Sequence, residues 1–241
     1  MPLRTFTTWT LLALGGLLAA APAPANEALL RQAIASFFRD ARVLRLDAVP
    51  DLYEGGYARV SVYAAGATLS GGFRVDEAWV RLVGASFNPQ ALRRGQFQVD
   101  SVRDTALHMR VSFDSLERYF SELTAGQRVR LWSERGYVHG RGVVPLWGPE
   151  VPVELRGVFA VDGGPELYFR LDRLRVSGLP VPEPVVKQLE RRFNPVLTQK
   201  DWPVRFKLRA VLTQPADLVV TSQPGASCRI CADFPSPTSG P

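Results

Sequence analysis

Two cysteines and two histidines are the residues of this 241-residue chain best suited to metal or redox chemistry. Cys228 and Cys231 form Cys-Arg-Ile-Cys in a stretch rich in Pro, Ser and Gly. A structural zinc site takes about four ligands, and no second cysteine pair exists to complete one. A thioredoxin-like redox centre opens a helix in a βαβ unit, and this context is not of that kind. A local disulfide is the expected fate of the pair, with bonding to another chain as the alternative. His108 falls on the polar side of a strand-like run and His139 lies beside Gly140, too far apart in sequence for metal-ligand spacing. Asp76 and Glu77 are neighbours in strand-like sequence, so their side chains point to opposite faces and cannot share one substrate atom. Asp201 is isolated beside Trp202. Nucleophile-elbow, zinc-protease, phosphate-loop and dinucleotide-binding motifs are all missing. These residues predict no enzyme, no metal and no cofactor.

Two other groups of side chains suggest binding. Arg205, Lys207 and Arg209 alternate with Phe206, Leu208 and Ala210, placing three cations on one side of an extended segment. They could contact lipid headgroups or an acidic polymer, or could be the solvated side of a half-buried strand. Apolar and aromatic residues recur at helical spacing in three places: Phe37 with Phe38, Leu116 with Tyr119 and Phe120, and Leu189 with Phe193. Such stripes could line a lipid groove or form ordinary helix-to-sheet core.

The elements that must position these residues read as follows. Leu30, Ile34, Phe37, Phe38 and Ala41 predict a helix from Glu27 to about Arg42. A second helix is expected over about Ser115 to Leu123, with Asp114 as N-cap and Glu117 completing a capping box. A third should start near Pro182 or Pro184, where proline suits a first turn, and stop near Asn194-Pro195. About ten segments alternate apolar with polar residues, among them Tyr57–Ala64, Phe73–Ser86, Phe97–Ser112, the run from Val151 to Val161, Glu166–Val176, Val204–Leu212 and Leu218–Thr221. Asp162-Gly163-Gly164 marks a hairpin turn between two of them. Such alternation predicts a mostly antiparallel sheet with one buried face, which must be covered by something. Three helices cover only part of a long sheet. The remainder must be closed by curling or filled by an apolar ligand.

The N-terminus reads as a secretory signal peptide over residues 1 to about 25, with an uncleaved N-terminal anchor as the alternative. Arg4 supplies the positive end, Leu11 to Ala21 is an apolar run of signal-peptide length, and Ala23-Pro24-Ala25 offers small residues for cleavage after Ala25. The run is too short to span a bilayer, and no cysteine follows it to carry a lipid anchor. Residues 26–222 then read as a single domain and residues 223–241 as a disordered tail. At 46% hydrophobic and 22% charged the chain is ordinary globular material. Its formal net charge of +6 points to anionic surfaces such as headgroups or acidic polymers before nucleic acid, although solubility alone would also account for it.

Against this background the C-terminal half is informative. Val176-Ser-Gly-Leu-Pro-Val-Pro182, a helix closing on Phe193-Asn-Pro-Val196, then Trp202-Pro-Val-Arg-Phe-Lys-Leu208 and a last strand together resemble the LmeA-like phospholipid-binding family. The likeness of pattern and order extends over roughly residues 27–222. The resemblance implies an exported protein of the periplasm or extracytoplasmic envelope that binds phospholipid without catalysis. It also implies an α+β fold: an elongated, highly curved antiparallel sheet packed against two or three amphipathic helices, similar to tubular lipid-binding domains. Its expected partner is phospholipid or a membrane surface, not nucleic acid. The groove candidates are Phe37, Phe38, Leu116, Tyr119, Phe120, Leu189 and Phe193, with Arg205, Lys207 and Arg209 as headgroup candidates. The alternative reading is an envelope interaction module that holds an anionic polymer through its basic side.

Overall fold

A computed structural model describes residues 24–51, 56–69, 72–123, 129–145, 150–225 and 227–235. The expected signal peptide lies almost wholly outside them. The chain folds as α+β with two antiparallel sheets, neither of them closed. The first has six strands: β1 (Val43–Pro50), β2 (Tyr57–Thr68), β3 (Arg74–Phe87) and β4 (Val99–Ser112) in sequence order, then β11 (Asp217–Thr221) and β10 (Ala210–Thr213). The second has five in simple succession: β5 (Val129–Glu134), β6 (Tyr137–Pro145), β7 (Glu150–Ala160), β8 (Tyr168–Val176) and the two-residue β9 (Leu179–Pro180). Helix α1 (Pro24–Phe37) precedes the first sheet, and short α2 (Pro89–Arg93) joins β3 to β4. Helix α3 (Phe113–Leu123) links the sheets, and α4 (Glu183–Phe193) follows the second. Where the alternation predicted a single sheet, the strands separate into two at α3.

The first sheet is covered on its inner face by α1, whose Leu30, Ala33, Ile34 and Phe37 are buried, and by the extended segment 202–208. Inward residues Val60, Val62 and Ala64 of β2, Val80 and Leu82 of β3, and Leu107, Met109 and Val111 of β4 join them in one core. Burying an aliphatic side chain is worth about 1.5–3 kcal/mol, so this shared core supplies the main driving force. It continues into the second sheet through Leu131, Val138, Phe159 and Leu167. Gln199, fully buried, ties the covering segment together: Phe206 N donates to its Oε1 at 2.6 Å, and its Nε2 donates to Phe206 O at 3.2 Å.

Several boundaries differ from expectation for physical reasons. Helix α1 stops at Phe37, and Asp40 turns the chain with φ of 56° before β1. At α3 the cap is Ser112, whose Oγ accepts from Ser115 N at 3.2 Å, so Asp114 sits inside the first turn. Glu117 closes no capping box; it accepts instead from Leu131 N at 2.5 Å, fastening α3 to β5. Helix α2 escaped the pattern reading because it is short; Asn88 caps it, accepting from Ala91 N at 2.9 Å with Pro89 in the first turn. The expected strand from Val204 shrinks to Ala210–Thr213. Residues 204–208 are extended and alternate in burial, but they pack as a covering segment and not as a ladder.

The C-terminal segment, expected to be disordered, packs over residues 227–235 against the outer face of the first sheet. Ile230 is buried with Tyr63 and Trp79. Asp233 accepts from Arg81 Nε at 2.8 Å and from Ser61 Oγ at 2.7 Å. Trp79 Nε1 donates to the carbonyl of Phe234 at 2.8 Å. Cys228 and Cys231 are disulfide-bonded to each other. This strap explains why β2 is buried on both faces from Val60 to Ala67, where alternation predicted one.

A candidate lipid chamber in the second sheet

Strands β5 to β7 of the second sheet alternate cleanly. One face of β5 carries Val129 and Leu131, of β6 Val138, Gly140 and Gly142, and of β7 Val153, Leu155 and Phe159. On β8 the same face carries Phe169, Leu171, Leu174 and Val176, a spacing that breaks period two between 171 and 174. A register shift reconciles it: Arg156 pairs with Arg173 but Gly157 with Leu171, leaving Asp172 as an extra, bulged residue. Such a bulge re-aims the following side chains, and here it returns Leu174 and Val176 to the apolar side.

These side chains form the wall of a cavity of about 400 Å³. Helix α4 roofs it with Val185, Leu189 and Phe193, four residues apart and so on one helical face. Phe120 from α3 and Val181 and Val196 from the flanking loops complete the lining. Every lining residue is apolar or glycine. The volume falls within the usual range for small-molecule sites. Glycine at 140 keeps the floor low, because a Cβ there would stand 2.9 Å from Leu155 Cδ1 and 3.1 Å from Leu131 Cδ2.

The roof is attached lightly. No residue of α4 is fully buried, and Val185 is 50% exposed although it lines the cavity, so the chamber meets solvent beside the first turn of α4. The last turn is fixed more firmly. Glu190 Oε1 accepts from Leu171 N at 2.6 Å. Asn194 exchanges two hydrogen bonds with Phe169, accepting from its N–H at 2.7 Å and donating to its carbonyl at 2.9 Å. These side chains satisfy the edge of β8 that short β9 leaves open, as an uncovered edge requires.

Phe120, Leu189 and Phe193 therefore meet in one chamber. The other aromatic and apolar candidates do not line it. Phe37 and Phe38 belong to the core of the first sheet, where Phe37 packs edge-to-face on Trp202 at 5.3 Å. Leu116 is fully buried in that core. Tyr119 stands just outside, against Phe73 and Phe120, and its hydroxyl donates to Val196 O at 3.3 Å; burial raises its pKa. Arg205, Lys207 and Arg209 are exposed on the covering segment of the first sheet and do not border the chamber.

Asp76, Glu77 and His108 lie outside the chamber and are held in structural contacts. Asp76 accepts from Ser112 N at 2.6 Å, while Glu77 on the opposite face accepts from Tyr63 Oη at 2.8 Å and pairs with Arg110 at 2.8 Å. His108 is buried in the first sheet against Trp79 at 5.7 Å; desolvation and then Arg110 lower its pKa, which Glu77 partly offsets. Strand residues dominate the chamber, and sequence reasoning passed over them. Their available signals were the glycines at 140 and 142 within a strand and the unbroken alternation of β7.

The family model for LmeA-like phospholipid-binding proteins matches residues 42–223, most of the chain and all of the chamber. No curated protein and no solved structure matches. Among the described residues no helix is long and apolar enough to cross a membrane.

Proposed function

Because the chain belongs to the LmeA-like phospholipid-binding family, we propose that the chamber under α4 takes the acyl part of a phospholipid. The protein would act as an exported, noncatalytic lipid binder that carries lipid within the periplasm or extracytoplasmic envelope. The observation that supports this most is the lining: a cavity of about 400 Å³ walled wholly by apolar residues and glycine, with a half-exposed valine at its mouth. Empty, such a space exposes apolar surface to water. Filled by about ten methylenes it would gain roughly 8 kcal/mol, at about 0.8 kcal/mol for each, before ordering costs. Affinity on that scale requires no particular polar contact, which fits a lining that offers none. We read the two sheets as the elongated, highly curved arrangement of tubular lipid-binding domains.

The test is native mass spectrometry of protein purified from a membrane-bearing host, together with uptake of a fluorescent phospholipid. Copurifying phospholipid and saturable one-to-one uptake are expected. Absence of both would end the reading. A second reading, an envelope module that holds an anionic polymer, is favoured by one observation: exposed Arg205, Lys207 and Arg209 make no ion pair among the described residues. It predicts polymer binding that disappears at high salt and that removal of these three charges abolishes.

A further inference from the structure

The side of the second sheet that faces away from the chamber carries a different chemistry. Cross-strand register places Arg130, Arg141, Glu154 and Arg175 in one row, and Trp132, His139, Arg156 and Arg173 in the next. Arg170 lies farther along β8 on the same side, opposite Val158. Arg141 pairs with Glu154 at 2.8 Å and Arg156 pairs with Asp172. Arg130, Arg170, Arg173 and Arg175 have no ion-pair partner among the described residues and are exposed. Like charges gathered on one sheet face repel, so folding alone gives no reason to collect them there.

We propose that this outer face is the surface by which the protein docks on an anionic phospholipid bilayer; the proposal rests on the lipid-binding reading of the chamber behind it. Three features favour a bilayer over a soluble anion or polymer. The first is a shallow depression of about 130 Å³ on this face, bordered by Trp132, His139, Arg141, Arg156, Arg173 and Arg175, with Glu154 its one acid. Guanidinium groups match phosphate oxygens in bidentate geometry, and the space is of headgroup size. The second is the amphipathic rings beside the arginines. Trp132 and Tyr137 are each 37% exposed; Trp132 stacks on His139 at 5.4 Å, and the Arg156 guanidinium lies 4.7 Å from the Tyr137 ring centre. Exposed Trp and Tyr beside cations are the side chains that settle at a membrane–water interface, whereas a polyanion needs only the charge. The third is placement. Three of the four unpaired arginines are on β8, the strand that α4 packs against at the chamber. Docking there would lay the sheet that walls the chamber against the membrane. Strand alternation makes the two functions inseparable in sequence: each strand sends one set of side chains to the acyl chamber and the other to the headgroups.

Vesicle cosedimentation tests this with the full-length mature protein. Wild type, the double variant Arg173→Glu/Arg175→Glu and Leu189→Asp are each mixed with phosphatidylcholine vesicles, with vesicles containing phosphatidylglycerol, and with a soluble polyanion. Uptake of a fluorescent phospholipid presented without vesicles is measured in parallel. Wild type should bind the anionic vesicles, lose them at high salt and ignore the neutral ones. Each arginine near an anionic surface contributes about fivefold to binding, so reversing two should weaken it at least about 20-fold while uptake and the circular dichroism spectrum stay as in wild type. Leu189→Asp should dock normally and fail in uptake. Undiminished vesicle binding by the double variant would overturn the docking surface, as would equal binding to neutral vesicles or binding to the polyanion alone. Docking that is intact in a protein with no uptake in any form would instead sink the chamber reading and leave the docking surface standing.

Discussion

Leu189→Asp separates a ligand chamber from an ordinary core. Leu189 sits mid-way along α4, lines the cavity and is only partly buried, on a helix with no fully buried residue. The substitution removes about 2 kcal/mol of apolar contact with a bound acyl chain. It also places a carboxylate where the chain would lie, and desolvating that charge costs a few kcal/mol more. Water at the nearby mouth relieves part of this, so a net loss of about 3 kcal/mol, or roughly 150-fold in Kd, is the expected effect. Without lipid the carboxylate faces a solvent-accessible cavity, and the fold should lose no more than about 1 kcal/mol, a fall in Tm of a few degrees. Leu116→Asp is the contrasting case, since Leu116 is wholly buried in the shared core and its replacement should prevent folding. Titration with a fluorescent phospholipid, paired with thermal melts, reads both quantities. If Leu189→Asp takes up lipid with a Kd within about threefold of wild type, or if it unfolds as Leu116→Asp does, the reasoning is refuted.

Further predictions follow from individual contacts. Gln199→Ala would leave both Phe206 backbone groups unpaired, costing about 2–4 kcal/mol; thermal denaturation should show Tm lower by roughly 5–12 °C. Gly140→Val would drive a branched side chain into Leu155 and Leu131 and shrink the chamber, so competition between phospholipids of graded chain length should shift in favour of the shorter chains. Burial alone would raise the Asp233 carboxyl, but Arg81, Ser61 and Arg59 together hold it below the usual aspartate range. Its contribution is therefore complete above the unfolded-state pKa and is lost as pH falls through the lower folded value. Hydrogen exchange should show the 227–235 strap loosening only under strongly acidic conditions, and at neutral pH already in Asp233→Asn.

How far the sequence foretold this architecture depends on the kind of signal. Period-two alternation in β7 and β8 and the turn at Asp162-Gly163-Gly164 were visible because each strand has one apolar face. The bulge at Asp172 was hidden, since a single extra residue looks like a break in the pattern. The stripes at Phe37–Phe38 and at Leu189–Phe193 are alike in sequence, yet one meets a packed sheet and the other a cavity. Helical spacing reports that a face is apolar and is silent on what lies opposite. The strap was lost to composition: Pro and Ser around Cys228 and Cys231 suggest disorder, while its anchors Ser61, Trp79 and Arg81 lie some 150 residues away. The outer arginines form no motif in the sequence because they come from four strands and become neighbours only through register.

The central claim is that acyl chains lie between the second sheet and α4. Photo-crosslinking with a phospholipid bearing a diazirine near the chain end, followed by peptide mapping, addresses it most directly. Labels should fall on chamber residues such as Val153, Leu155, Leu171 and Phe193, and Leu189→Asp should remove them. Labelling confined to the first sheet around Phe37 and Trp202, or to the outer arginine face, would contradict the account.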